Sequence, residues 1–117
     1  MAQRDVLHEA RQAQPLIDRF IEEADQRGIA AMPLQARLLD GHQVKTDKRG
    51  WYLKSDQSVA IGEDGGYYLL TVPGGWRERL RGVRLEASPA PLMVSRGGRD
   101  GETGSLSFFL QKRLEAG

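Results

Sequence analysis

The stretch from residue 58 to residue 75, SVAIGEDGGYYLLTVPGG, leaves a chain few ways to fold. Two runs of strand-forming residues flank a turn-forming GEDGG, and the whole holds five glycines, too many for a helix interior. Runs this short, joined by connections this short, pair antiparallel, because parallel neighbours need a crossover of a dozen or more residues. Asp64-Gly65, taken as a two-residue hairpin turn, sets Ile61 opposite Tyr68 and Val59 opposite Leu70. Side chains alternate across a strand. Val59, Ile61, Tyr68, Leu70 and Val72 then fall on one face, and Ser58, Ala60, Tyr67, Leu69 and Thr71 on the other. A second two-residue turn at Asp56-Gln57 adds Trp51 and Leu53 to the second face, and Tyr52 and Lys54 to the first. Both faces are partly apolar, whereas a sheet with one wet side alternates more cleanly. Something is therefore expected to cover each face.

The glycines raise a second reading, a phosphate cradle. Such a loop stands between a strand and a helix N-terminus, so that backbone N–H groups converge on the anion. Here YYLLTV follows, no Lys-Ser/Thr pair is present, and Glu63 and Asp64 would repel an anion. GEDGG reads as a hairpin.

The rest of the chain supplies the covers. Val6, Leu7, Ala10, Ala13, Leu16, Ile17, Phe20, Ile21 and Ala24 recur at helical spacing over residues 1–28, and the stripe keeps its phase across Pro15. One kinked helix capped by Gly28 is expected there. LQARLLDGHQVKT is expected to be a hairpin turning at Asp40-Gly41, and DKRG a further turn at 47–50. Trp76 and Leu80 are four apart and Gly82 follows, which predicts a short helix over WRERLRG. Val83, Leu85 and Ala87 alternate as a strand does, and LMVS reads as a last short strand. SLSFFLQKRLEAG predicts a C-terminal helix with Leu106, Phe109, Leu110 and Leu114 on one side and Ser105 or Thr103 as its cap. The fold class is α+β: an antiparallel meander of four to six strands with an N-terminal kinked helix and a C-terminal helix. At 117 residues, with no composition shift or repeat, one domain spanning 1–117 is expected.

Charge and chemistry narrow the function classes. Hydrophobic residues make up 39% and charged residues 28%, which fits a packed soluble chain rather than a disordered one. There are no cysteines, which removes disulfides, thiolate metal sites and a cysteine nucleophile, and fits a cytoplasmic setting. No apolar run is long enough to span a membrane, and the first residues are too polar for a signal peptide. The net charge of +1 argues against general nucleic-acid affinity. Residues 76–117 nevertheless carry eight basic and five acidic side chains.

His8 and His42 are isolated, one on a helix and one near a turn, and no ligand spacing such as His-x-x-x-His occurs, so no metal or cofactor is expected. No Gly-x-Ser-x-Gly or other nucleophile signature occurs, and no catalytic residue is assigned. Two binding candidates remain, besides a basic cluster. Trp51, Leu53, Tyr67 and Leu69 share a sheet face, where they either fill the core or form an apolar patch for a partner or a second copy in a homodimer. Arg96 and Arg99, in the Gly-rich 95–105 segment before a helix start, are the alternative: an anion or nucleotide site, or simply a solvated loop. Arg77, Arg79, Arg81 and Arg84 cluster beside Trp76, a pairing that can bind single-stranded nucleic acid by charge and stacking, but Glu78 and Glu86 dilute them, the four would not share one helix face, and the expectation is a solvated face.

GWYLKSDQSVAIGEDGGYYLLTVPGG, with SRGGRDGE downstream, resembles small actinobacterial proteins, which implies a bacterial cytosolic setting. VAIGEDGGYYLL is similar to the hairpin of the SUKH superfamily, which implies an α+β fold and an immunity or interaction role. Residues and resemblance together lead to an expectation of a small non-catalytic interaction protein.

Overall fold

The computed structural model describes residues 2–95 and 104–117. Its elements are α1 (Ala2–Gln26), β1 (Met32–Leu38), β2 (Gln43–Tyr52), β3 (Val59–Gly62), β4 (Tyr67–Leu69), β5 (Thr71–Val72), α2 (Trp76–Arg81), β6 (Met93–Ser95), β7 (Gly104–Ser105) and α3 (Leu106–Ala116). This is an α+β fold with a mostly antiparallel sheet. The chain divides into two compact units. Residues 31–88 form one, and residues 1–30 with 89–117 form the other.

In the first unit the strands run in the order β4-β3-β2-β1-β5. Three antiparallel hairpin connections build it, and all three use one device. Leu39-Asp40-Gly41, Ser55-Asp56-Gln57 and Glu63-Asp64-Gly65 are three-residue loops; the Leu38 and Gly62 N–H groups donate to the His42 and Gly66 carbonyls at the bases of the first and third, and in the second the Gln57 N–H donates to the Lys54 carbonyl and the Leu53 N–H to that of Val59. In each the third residue has positive φ: +94° at Gly41, +59° at Gln57 and +89° at Gly65. In each the Asp carboxylate accepts the N–H two residues on, from His42, Ser58 and Gly66, at 3.0 Å. That carboxylate favours the bend, and the left-handed residue completes it.

Two-residue turns were expected, and the extra residue shifts the register. Val59 pairs with Leu69 and Ile61 with Tyr67, while Trp51 pairs with Ile61 and Tyr52 with Ala60. A one-residue slip moves a strand's side chains to the opposite face, so Val59 and Ile61 change sides. The two slips cancel for β2 relative to β4. Trp51, Leu53, Tyr67 and Leu69 therefore still share a face.

Three further expectations are corrected. DKRG does not turn the chain: Pro33 pairs with Arg49 and Gln35 with Lys45, so Leu34 alone faces Thr46, Asp47 and Lys48 in a bulge of β2. The Thr46 hydroxyl fills the gap by donating to the Leu34 carbonyl (2.8 Å) and accepting the Lys48 N–H (3.2 Å). The sheet is not purely antiparallel, because β5 pairs parallel to β1, Arg37 with Thr71 and Leu38 with Val72. The long crossover that parallel pairing requires is the meander itself. Finally, 83–87 is no strand. It is tied at its ends by bridges from Val83 to Thr46 and from Ser88 to Tyr67.

Only Leu70 separates β4 at one sheet edge from β5 at the other, so one segment borders both ends of the sheet. Leu70 donates its N–H to Ser58, and its carbonyl accepts from Arg37. Leu34, Ala36, Leu38, Val44, Ala60, Tyr68, Leu70 and Leu85 form the enclosed core. Leu85 is fixed by its N–H donating to the Asp47 carboxylate (2.9 Å).

In the other unit α1 is a single helix through Pro15, and Ala13, Ile17, Phe20 and Ala24 are its buried stripe. Gly28, with φ +72°, ends it. α3 lies against α1, with Leu106, Phe109, Leu110 and Leu114 buried as the spacing predicted. The Ser105 hydroxyl caps α3 by accepting the Phe108 N–H at 3.1 Å. The β6–β7 pair leads into it, and the Leu92 N–H donates to the Glu9 carboxylate at 2.6 Å. No helix among the described residues is long and apolar enough to cross a membrane.

Candidate functional site

The GEDGG hairpin closes over a tyrosine. Gly62 and Gly66 lie against the Tyr68 ring, where any side chain would collide with it. The Tyr68 hydroxyl donates to Asp64 Oδ2 at 2.6 Å. Lys48 Nζ stands 3.6 Å from the same carboxylate and 5.8 Å from the ring centroid. Burial would raise the Asp64 carboxyl, but the Tyr68 hydroxyl, the Gly66 N–H and Lys48 outweigh it and hold it below the usual aspartate range. Burial first, and then the Asp64 partner, push the Tyr68 phenol far up. The phenol stays protonated and the carboxylate ionised near neutral pH, so neither is poised to exchange a proton with a substrate. The cluster is a latch on the hairpin.

Of the four residues read as a sheet-face patch, the structure brings all four to one face and buries three. Trp51 and Tyr67 are each 4% exposed and Leu53 is 6% exposed, whereas Leu69 is 51% exposed. Burial alone pushes the Tyr67 phenol up to about 12. As the side chains stand, only Leu69 offers a partner apolar surface. It lines an open groove of about 500 Å³ with Thr71, Val72, Val83 and Glu86. Arg96 and Arg99, the anion-site candidates, lie outside the described residues. Among the described residues no cluster of three or more His, Asp or Glu side chains could hold a metal ion.

Apart from Leu39 at the β1–β2 turn, which is 75% exposed, the most exposed large apolar residues of the 31–88 unit belong to α2. Trp76 is 68% exposed and Leu80, one turn on, is 73% exposed; no residue of α2 is buried. The helix is held by its ends. The Glu78 carboxylate reaches back to accept the Gly75 N–H at 2.6 Å, and these backbone donors hold it below the ordinary glutamate range. At the other end Gly82, with φ +85°, donates to the Glu78 carbonyl at 2.7 Å. The Val83 N–H then donates to the Lys45 carbonyl and ties the exit of the helix to β2.

Arginines surround the apolar pair. Arg77, Arg79, Arg81 and Arg84 are all exposed. Arg77 stacks 5.8 Å from the Trp76 ring, and Arg81 follows it by one helical turn. Arg81 and Arg84 meet Lys45 around a second groove of about 310 Å³, floored by Gly82 and Val83. The sequence carried this signal, an aromatic and a leucine four apart among arginines. What it did not carry is that the described residues leave them exposed.

Comparison of the chain with known protein families, with curated proteins and with solved structures finds no match.

Proposed function

We propose that this chain is a non-catalytic binding protein and that it docks a partner protein on the α2 face. The observation that carries the reading is the exposed Trp76–Leu80 pair on a helix that buries nothing. Single exposed apolar residues are ordinary on protein surfaces. A tryptophan and a leucine one turn apart, ringed by arginine, have the composition of an interface hot spot, where Trp and Arg are enriched. Leu69 and its groove extend the apolar surface offered by the same compact unit. This reading keeps the interaction role expected from the sequence and moves its centre from Trp51, Leu53 and Tyr67 to Trp76 and Leu80.

Paired affinity capture tests it. Immobilised wild-type protein and the Trp76→Ala/Leu80→Ala variant are exposed to the same native lysate, with circular dichroism confirming that both are folded. Proteins retained by the wild type and lost from the variant support the reading. Equal retention by both removes it.

A further inference from the structure

We infer that the segment docked on α2 is acidic, a carboxylate-rich peptide carrying an aromatic or aliphatic anchor. The inference rests on α2 being the docking face and adds what that face selects. Five exposed cations surround it: Lys45, Arg77, Arg79, Arg81 and Arg84. Among the described residues no ion pair joins any of the five to a carboxylate. Three of the nearby acids are already engaged within the chain. Glu78 holds the Gly75 N–H, Asp47 holds the Leu85 N–H and stands 3.8 Å from Lys48, and Asp40 holds the His42 N–H. Arg77 acts on Glu78 and Arg79 on Asp40 through space, without an ion pair, whereas Lys45, Arg81 and Arg84 pair with no carboxylate among the described residues, and their charge is left for an outside partner.

Its arrangement narrows the chemistry. Lys45, Arg81 and Arg84 line one concavity in which Asp47 is the sole carboxylate. Guanidinium forks match carboxylate oxygens two by two, and such charge-assisted bonds are stronger than neutral ones. Arg77 and Arg81 lie four apart, on a stripe next to that of Trp76 and Leu80. An incoming segment therefore meets apolar and cationic stripes side by side. A polypeptide with acidic residues flanking an apolar anchor satisfies both. A nucleic acid fits less well: Trp76 could stack a base, but the chain's net charge is only +1, Glu86 stands exposed on the neighbouring surface, and Leu80 adds no second stacking plane.

The experiment uses the full chain and a fluorescein-labelled random copolymer of glutamate and tyrosine, read by anisotropy. Polylysine and an oligothymidylate of matched charge serve as controls. The copolymer should bind, more weakly as salt rises, and polylysine should not. Arg81→Gln with Arg84→Gln should weaken binding at least about tenfold, the scale of losing two charge-assisted contacts. Trp76→Ala with Leu80→Ala should weaken it similarly. All four positions are exposed, so the variants are expected to fold, and circular dichroism checks it. Copolymer binding indifferent to the arginine pair overturns the inference, as does tighter binding of the oligothymidylate, or self-association that occupies the face without the copolymer. In the lysate capture, loss of retention in the Trp76/Leu80 variant but not in the arginine variant leaves the docking face standing and removes the acidic partner. Retention unchanged in both removes both.

Discussion

Two helices of this chain use the same spacing and reach opposite ends. α3 places Leu106, Leu110 and Leu114 four apart with Phe109 alongside, and buries all four. α2 places Trp76 and Leu80 four apart and buries neither. The difference lies in what holds each helix. α3 is capped by Ser105 but anchored by its apolar face. α2, at six residues, is far below the length of about 12–15 at which a free helix becomes marginally stable. It is fixed by the Glu78 carboxylate at its start and by Gly82 and the Val83–Lys45 bond at its end. Apolar spacing marks a face but does not say what covers it. A helix held by its ends leaves that face exposed.

The sharpest attempt to break this contrast is Phe109→Ala, in the buried face of α3. It should cost about 3–5 kcal/mol, read from the urea midpoint at unchanged slope. A loss below about 1 kcal/mol would mean that α3 is not anchored by its face.

The Tyr68 latch should give a smaller effect with a distinctive pH dependence. Asp64 is held below its ordinary range, so its contribution is present above about pH 3.9 and disappears as pH falls through the folded value. The Tyr68 phenol is raised, so its contribution is present below about pH 10 and is lost as pH rises beyond that. Tyr68→Phe should cost about 1 kcal/mol at neutral pH, a modest figure because Asp64 remains close to half exposed. The variant should also lose less stability than the wild type above about pH 10. Parallel pH profiles for the two proteins would contradict the latch.

Gln57→Gly sharpens the account in the stabilising direction. Gln57 occupies the left-handed position that glycine fills in the other two hairpins. Replacement should add about 0.5–1 kcal/mol, seen as a melting temperature higher by a few degrees. No gain would mean that the Gln57 side chain contributes contacts worth as much as the backbone strain. The smallest expected effect is at the other pole of the comparison. Trp76→Ala with Leu80→Ala should change stability by no more than about 0.5 kcal/mol, since exposed side chains carry little of the fold. A loss like that of Phe109→Ala would make α2 part of the core.

Much of this fold was legible in the sequence because the relevant forces are local. The α1 stripe from Ala13 to Ala24, the buried face of α3 and Gly82 as the end of α2 follow from spacing and cap chemistry; Val6 and Leu7, expected on the same stripe, are exposed, and of the two cap candidates Ser105 makes the bond while Thr103 lies outside the described residues. The register was not legible. Asp-Gly serves two-residue and three-residue hairpin loops alike, and Gln57 carries no glycine signal for its positive φ. The parallel β1–β5 pair was hidden because it depends on residues more than thirty apart, brought together only when the meander closes on itself. The candidate site was half legible. Trp76, Leu80 and the arginines stood out as a pattern, but exposure is a property of the assembled chain. The patch of Trp51, Leu53, Tyr67 and Leu69 was assigned to one face correctly, and three of its members turned out to be buried.

The two tryptophans allow the most direct test. Trp51 is buried and Trp76 exposed, so their indole N–H resonances report the two kinds of surface separately in one NMR spectrum. On titration with the glutamate–tyrosine copolymer, the Trp76 indole signal should shift or broaden first, together with backbone signals of residues 76–84 and Lys45, while the Trp51 indole signal stays in place. An unmoved Trp76 signal, or a response centred elsewhere in the chain, would contradict the account.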